Sequence, residues 1–286
     1  MLCKSLGMAM VLGVCCLSVR AAHIHIAPTQ KTGKQVQIMA NSELSKGNSD
    51  LRSATSKHFT QGETGTLTSE SRKTLLANFG IPGASSTNVL RLEISKAKAF
   101  NPDLSIVLVG TNDALNSSKL SSPEQYEQNM RQIIQALQAI GSKVLLVTPP
   151  PCIEELLLKR HKKTAYGDTP PQERILTCHR ILSDLAREFQ LQLVDFHQIV
   201  MERGDLAGEK SLLRNPVNEK SADGVHPTAE GYRLLAQAIA DMIKQHKLPH
   251  RRIACLGDSI TYGAHMTGAG SVSGDTYPAQ LAGMLE

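Results

Sequence analysis

The residues best suited to chemistry fall in four short stretches. Ser259 stands in "LGDSITYG", at the end of the apolar run Ile253 to Leu256. Asp223 and His226 lie three residues apart in "DGVHP", Asn112 lies in "GTNDA" and Gly83 in "NFGIPGAS". A serine, a histidine and a carboxylate are the parts of nucleophilic acyl transfer. They supply attack, proton removal and a group that orients the imidazole. The backbone N–H groups of Ser259 and Gly83 and the side-chain amide of Asn112 are neutral donors suited to an oxyanion. Each stretch also has a plainer reading. Gly-Asp-Ser and Asp-Gly mark turns, a His before Pro serves structure at many helix starts, and Gly-Thr-Asn-Asp caps helices. What sets the four apart is their shared position at the ends of predicted strands and helices.

Those elements follow from apolar patterning. "TLLANF" (74–79), "LSIVLVG" (104–110), "KVLLVT" (143–148), "LQLVDF" (191–196) and Ile253 to Leu256 read as strands. Most are apolar throughout, as in a parallel sheet covered on both faces. Ser122-Pro123 opens a helix whose apolar positions Tyr126, Met130, Ile133, Leu137 and Ile140 recur at three- and four-residue spacing, and Gly141 stops it. Further helices are expected from about Gln172 to Glu188, from about Thr228 to Lys244, and over "YPAQLAGML". The fold class is α/β, a three-layer α/β/α sandwich around a central parallel sheet. Such sheets bind ligands at the carboxyl ends of their strands, where the four stretches lie.

With these residues in hand, the chain resembles the SGNH (GDSL) hydrolase family. "GDSITYG" resembles its serine block, "NFGIPGAS" its glycine block, "GTNDA" its asparagine block and "DGVHPTAEGY" its Asp-x-x-His block. Pro82 stands where serine is usual in the second block. The resemblance covers roughly residues 74–286. It implies a serine esterase that works through an acyl-enzyme, without cofactor or metal. The catalytic residues it implies are Ser259, Asp223 and His226, with Ser259, Gly83 and Asn112 at the oxyanion. "TPPP" and "DTYPAQL" resemble the branch acting on acetylated carbohydrates, including sialate and xylan acetylesterase-like members. A lipid esterase or thioesterase of the same family is the alternative among enzymes. An inactive carbohydrate-binding protein is the alternative outside them.

In that family the serine block comes first, and here it comes last. Two accounts compete. In one the chain is a circular permutant, with the first strand supplied by the C-terminal segment 247–286 to a main body at 74–246. In the other it is a truncated tandem protein, in which "VQIMANSELSKG" (36–47) is a degenerate first block with Ser42 opposite Ser259. Asp223 and His226 are the same under both.

Composition bounds the rest. The chain has 286 residues, enough for one good-sized domain. Net charge is +5, of which Lys4 and Arg20 supply two. That is too mild for a nucleic-acid partner. The expected partner is a small-molecule or glycan ester. Residues 1–22 read as a signal peptide, with Lys4 before the apolar stretch Met8 to Val19 and Val19-Arg20-Ala21 as cleavage site. The expected location is therefore secreted or periplasmic, without stable membrane insertion after cleavage. Residues 23–73 form a polar segment. Cys152, Cys178 and Cys255 are an odd number, so at least one is unpaired within the mature chain. The basic run Lys159 to Lys163 reads as a solvated loop, and Gln172 to Glu188, with Cys178 and His179, as an ordinary amphipathic helix. Asp113 and Asp258 read as structural carboxylates bonding loop amides. "GAGSVSG" (268–274) reads as a flexible loop, and His23-Ile24-His25 as an inert extended stretch.

Overall fold

The computed structural model describes residues 74–286. The signal peptide, the strand expected over "VQIM" (36–39) and Ser42 lie outside the described residues. Five parallel strands form one sheet in the order β1-β5-β2-β3-β4. They are β1 (Leu75–Asn78), β2 (Leu104–Leu108), β3 (Lys143–Val147), β4 (Gln192–Val194) and β5 (Arg252–Gly257). The α-helices are α1 (Ser86–Asn88), α2 (Ile94–Phe100), α3 (Thr111–Leu115), α4 (Pro123–Gln138), α5 (Glu154–Leu157), α6 (Pro171–Glu188), α7 (Phe196–Met201), α8 (Ala229–Gln245), α9 (Ser259–Tyr262) and α10 (Tyr277–Leu285). A π-helical turn, Val89–Glu93, joins α1 to α2. No helix among the described residues is long and apolar enough to cross a membrane.

The last strand in the chain is internal to the sheet. β5 pairs with β1 on one side, Ile253 opposite Leu76, and with β2 on the other, Cys255 opposite Ile106. Its side chains alternate between two cores, as the period of a strand requires. Ala254 and Leu256 face one core with Val107 and Leu146, under α2, α4 and α6. Ile253 and Cys255 face the other with Ile106 and Leu145, under α7, α8 and α10. Each face is covered by helices, so the apolar runs are continuous. Cys255 is a small core residue here, and Cys152, Cys178 and Cys255 are all free and buried.

The helix boundaries follow local chemistry. Ser122, Thr228 and Thr276 cap α4, α8 and α10, each hydroxyl accepting the amide three residues on. Pro123, Pro171 and Pro278 occupy first-turn positions, where a missing N–H costs nothing. β1 to β4 are shorter than their apolar runs, and β5 is longer by a residue at each end. β2 ends at Leu108, where Val109-Gly110 lead into α3 and Asn112, and β4 spans only Gln192–Val194, because Asp195 already caps α7 by accepting the Gln198 amide.

Candidate active site

Gly257 ends β5 at φ +153°, and a Cβ there would lie 1.9 Å from the carbonyl oxygen of Leu108. Only glycine fits that turn. Asp258 then caps α9 by accepting the Ile260 amide at 2.8 Å, and Ser259 is the helix's first residue. The Ser259 N–H is therefore one of the amides a helix start leaves unpaired. Gly80 closes on the same turn: a Cβ there would lie 2.4 Å from the Tyr262 nitrogen.

Asp223 and His226 come from the loop before α8. The imidazole Nδ1 lies 2.9 Å from Asp223 Oδ2 and 3.1 Å from Oδ1. Its Nε2 lies 2.8 Å from Ser259 Oγ. Asp223 Oδ1 also accepts the backbone amides of Val225 and His226, each at 3.0 Å. Burial pushes the Asp223 carboxyl up. The His226 ring and these amides outweigh it, holding the group well below the usual carboxylate range.

Gly83 and Asn112 complete the mouth of the site. Gly83 has φ +74°, and its carbonyl accepts from Lys119 Nζ. Asn112 donates one amide hydrogen to the Ala84 carbonyl at 3.0 Å, and its oxygen accepts from Asn116 at 3.2 Å. Both ends of the amide are thus fixed, and its second hydrogen remains for a ligand. Ser259, His226, Gly83 and Asn112 line one cleft of about 320 Å3. With Asp223 bonded behind His226, the five residues singled out in the sequence are brought together.

Other contributors were not read from the sequence. The basic run is more than a solvated loop. Arg160 lines the cleft, donates to the Asp223 carbonyl oxygen at 2.6 Å and stands 3.7 Å from its carboxylate. His161 also lines the cleft, bonded to Ser117 Oγ at 2.9 Å. His265 lies in the loop after α9, its ring edge-on to His226 at 5.0 Å between centroids. No motif marked these residues: Arg160 and His161 meet groups 63 and 44 residues away, and His265 turns toward His226, which lies on a separate loop.

Three buried carboxylates surround the turn beneath Ser259. Asp113 accepts the Ser86 amide and the Ser86 and Ser121 hydroxyls. Like Asp258, it serves a loop amide. Burial raises Asp113, and pushes Asp258 up to about 6 against the pull of the Ile260 amide and His226. Glu93, in the π-helical turn, accepts the Gly257 amide at 2.8 Å, and burial pushes it up to about 8.

Comparison with known proteins bears on this arrangement. Residues 34–239 match the profile of the family described as GDSL-like Lipase/Acylhydrolase. An acetylxylan esterase of Xylanibacter ruminicola is 25% identical over 167 residues, which are 52% of this chain and 30% of that protein. A GDSL esterase/lipase of Oryza sativa subsp. japonica is 27% identical over 157 residues, 52% of this chain and 56% of that protein. The chain thus spans about half or less of these relatives' length. A solved GDSL-like lipase of Bacteroides thetaiotaomicron superposes with a TM-score of 0.45 at 22% identity, covering 57% of this chain and 73% of that one. With its profile match extending over most of its length, the chain belongs to the GDSL-like lipase/acylhydrolase family.

Proposed function

We propose that this protein is an exported serine esterase that removes short acyl groups, acetyl above all, from a carbohydrate or glycoconjugate. The observation that carries the reading is the chain of contacts from Asp223 through His226 to Ser259, at 2.9 and 2.8 Å. Ser259 Oγ attacks the ester carbonyl while neutral His226 takes its proton at Nε2. Asp223 stays ionised and stabilises the imidazolium. The N–H groups of Ser259 and Gly83 and the Asn112 amide receive the oxyanion; one such donor is worth about 10²–10³ in rate. His226 then protonates the leaving sugar oxygen. Water, deprotonated by His226 in turn, releases the acyl group from Ser259.

The relatives' names support the substrate class, one being an acetylxylan esterase. The small cleft, with Asn112, Asn116, Arg160 and His161 in its lining, suits a short acyl group better than a long apolar chain. Circular permutation is part of the proposal, supported by the place of β5 between β1 and β2. One observation favours the tandem reading instead: the family match begins at residue 34 and stops before β5. Signal-directed export rests on residues 1–22 alone.

The test is acyl and alcohol preference. Acetate should be released from an acetylated xylo-oligosaccharide, and 4-nitrophenyl acetate should be cleaved with higher kcat/KM than the octanoate. Preference for the octanoate, with no acetate released from the sugar, would replace this reading with the lipid-esterase one.

A further inference from the structure

We propose that Asp223, His226 and His265 form a zinc-binding site whose occupation switches the esterase off. Asp223 Oδ2 lies 2.9 Å from His226 Nδ1 and 3.4 Å from His265 Nε2, and one donor atom from each residue falls within 4.8 Å of the others. Zinc bound to nitrogen and oxygen at about 2.0–2.2 Å in a tetrahedron needs donor separations near 3.4 Å. Two of the three separations already approach that value. His265 is half-exposed, on a loop at φ +71°, so its ring can close the third and admit a water as fourth ligand.

The consequence follows from the imidazole's two nitrogens. A metal on His226 Nδ1 takes the place of the proton shared with Asp223. That proton passes by way of solvent to Nε2, so the ring stays neutral in its other tautomer. Nε2 faces Ser259 Oγ at 2.8 Å and must be unprotonated to act as base. The occupied ring can only donate there, so attack stops. Arg160 at 3.7 Å and Arg214 at 4.0 Å from the Asp223 carboxylate oppose a second positive charge. They place the affinity below that of a structural zinc site and make the binding reversible.

The inhibition rests on the proposed esterase activity; the binding does not, so two readouts separate the failures. Zinc chloride is titrated by calorimetry into the full chain carrying His23→Ala and His25→Ala, and into the same chain with His265→Asn. The first should bind one zinc, and His265→Asn should weaken that binding by about tenfold or more. In parallel, aryl acetate hydrolysis should fall with zinc at the concentration that fills the site and return with a chelator. Equal binding in both proteins, or none in either, would overturn the site. Binding lost with His265→Asn but without inhibition of an active enzyme would overturn the switch. An inactive enzyme that still binds zinc through His265 would keep the site and count against the esterase reading alone.

Discussion

Deleting residues 247–286 should unfold the protein rather than merely inactivate it. The deletion removes β5 from between β1 and β2, so β1 loses its pairing partner and β2 gains an open edge. Ile253, Leu256, Ile260 and Leu281 are fully buried. At roughly 1.5–3 kcal/mol for each such side chain, their burial alone contributes about 6–12 kcal/mol. The net stability of a domain is about 5–15 kcal/mol. The loss therefore matches the whole margin before Tyr277, Cys255 and the strand hydrogen bonds are considered. α10 packs against β1, so the deleted segment should also work from the other end. Residues 250–286 joined through a short Gly/Ser linker to Thr74, with the chain ending at 246, should restore the fold. Circular dichroism melts of the full chain, the deletion and the rearranged chain provide the assay. A cooperative melt of residues 23–246 at the full-length midpoint would refute the reasoning, and with it the structural need for β5.

Other outcomes follow from the turn beneath Ser259. Glu93 is held near pKa 8 against an ordinary 4.5, so the folded state keeps a proton the unfolded state has released; stability from this group falls as pH rises from 4.5 to 8. Glu93→Gln should accordingly gain thermal stability relative to the parent across that window, and a difference that does not change with pH would contradict it. Asp223→Asn should lower kcat on an aryl acetate by on the order of 10⁴ with the melt unchanged, as when an orienting carboxylate is lost; near-normal turnover would contradict it. Gly257→Ala forces a Cβ within 1.9 Å of a backbone oxygen at φ +153° and should cost about 3 kcal/mol or more in denaturant unfolding; a loss below 1 kcal/mol, on the order of a surface change, would contradict it.

Much of this architecture was legible because it rests on local chemistry. The apolar runs at 104–110 and 143–148 marked buried strands, and Ser122-Pro123 marked the start of α4 to the residue. The spacing of Asp223 and His226 made their contact local. The place of the last strand was open because parallel pairing is non-local. "VQIM" and "IACL" are both short apolar runs, and neither carries a sign of its neighbours. Arg160 was hidden for a similar reason. Five basic residues in a row look alike, and the one that turns inward is chosen by the Asp223 loop, 63 residues away. The buried state of Glu93 was equally silent: a glutamate in a helical stretch gives no sign that a π-helical turn aims it at the Gly257 amide.

The central claim is that Ser259, and not a residue in the first segment, is the nucleophile served by His226. A serine-directed fluorophosphonate, followed by peptide mass spectrometry, tests it directly. The label should sit on Ser259, disappear in Ser259→Ala and persist in Ser42→Ala. Labelling of Ser42, or labelling and activity that survive Ser259→Ala, would contradict the account.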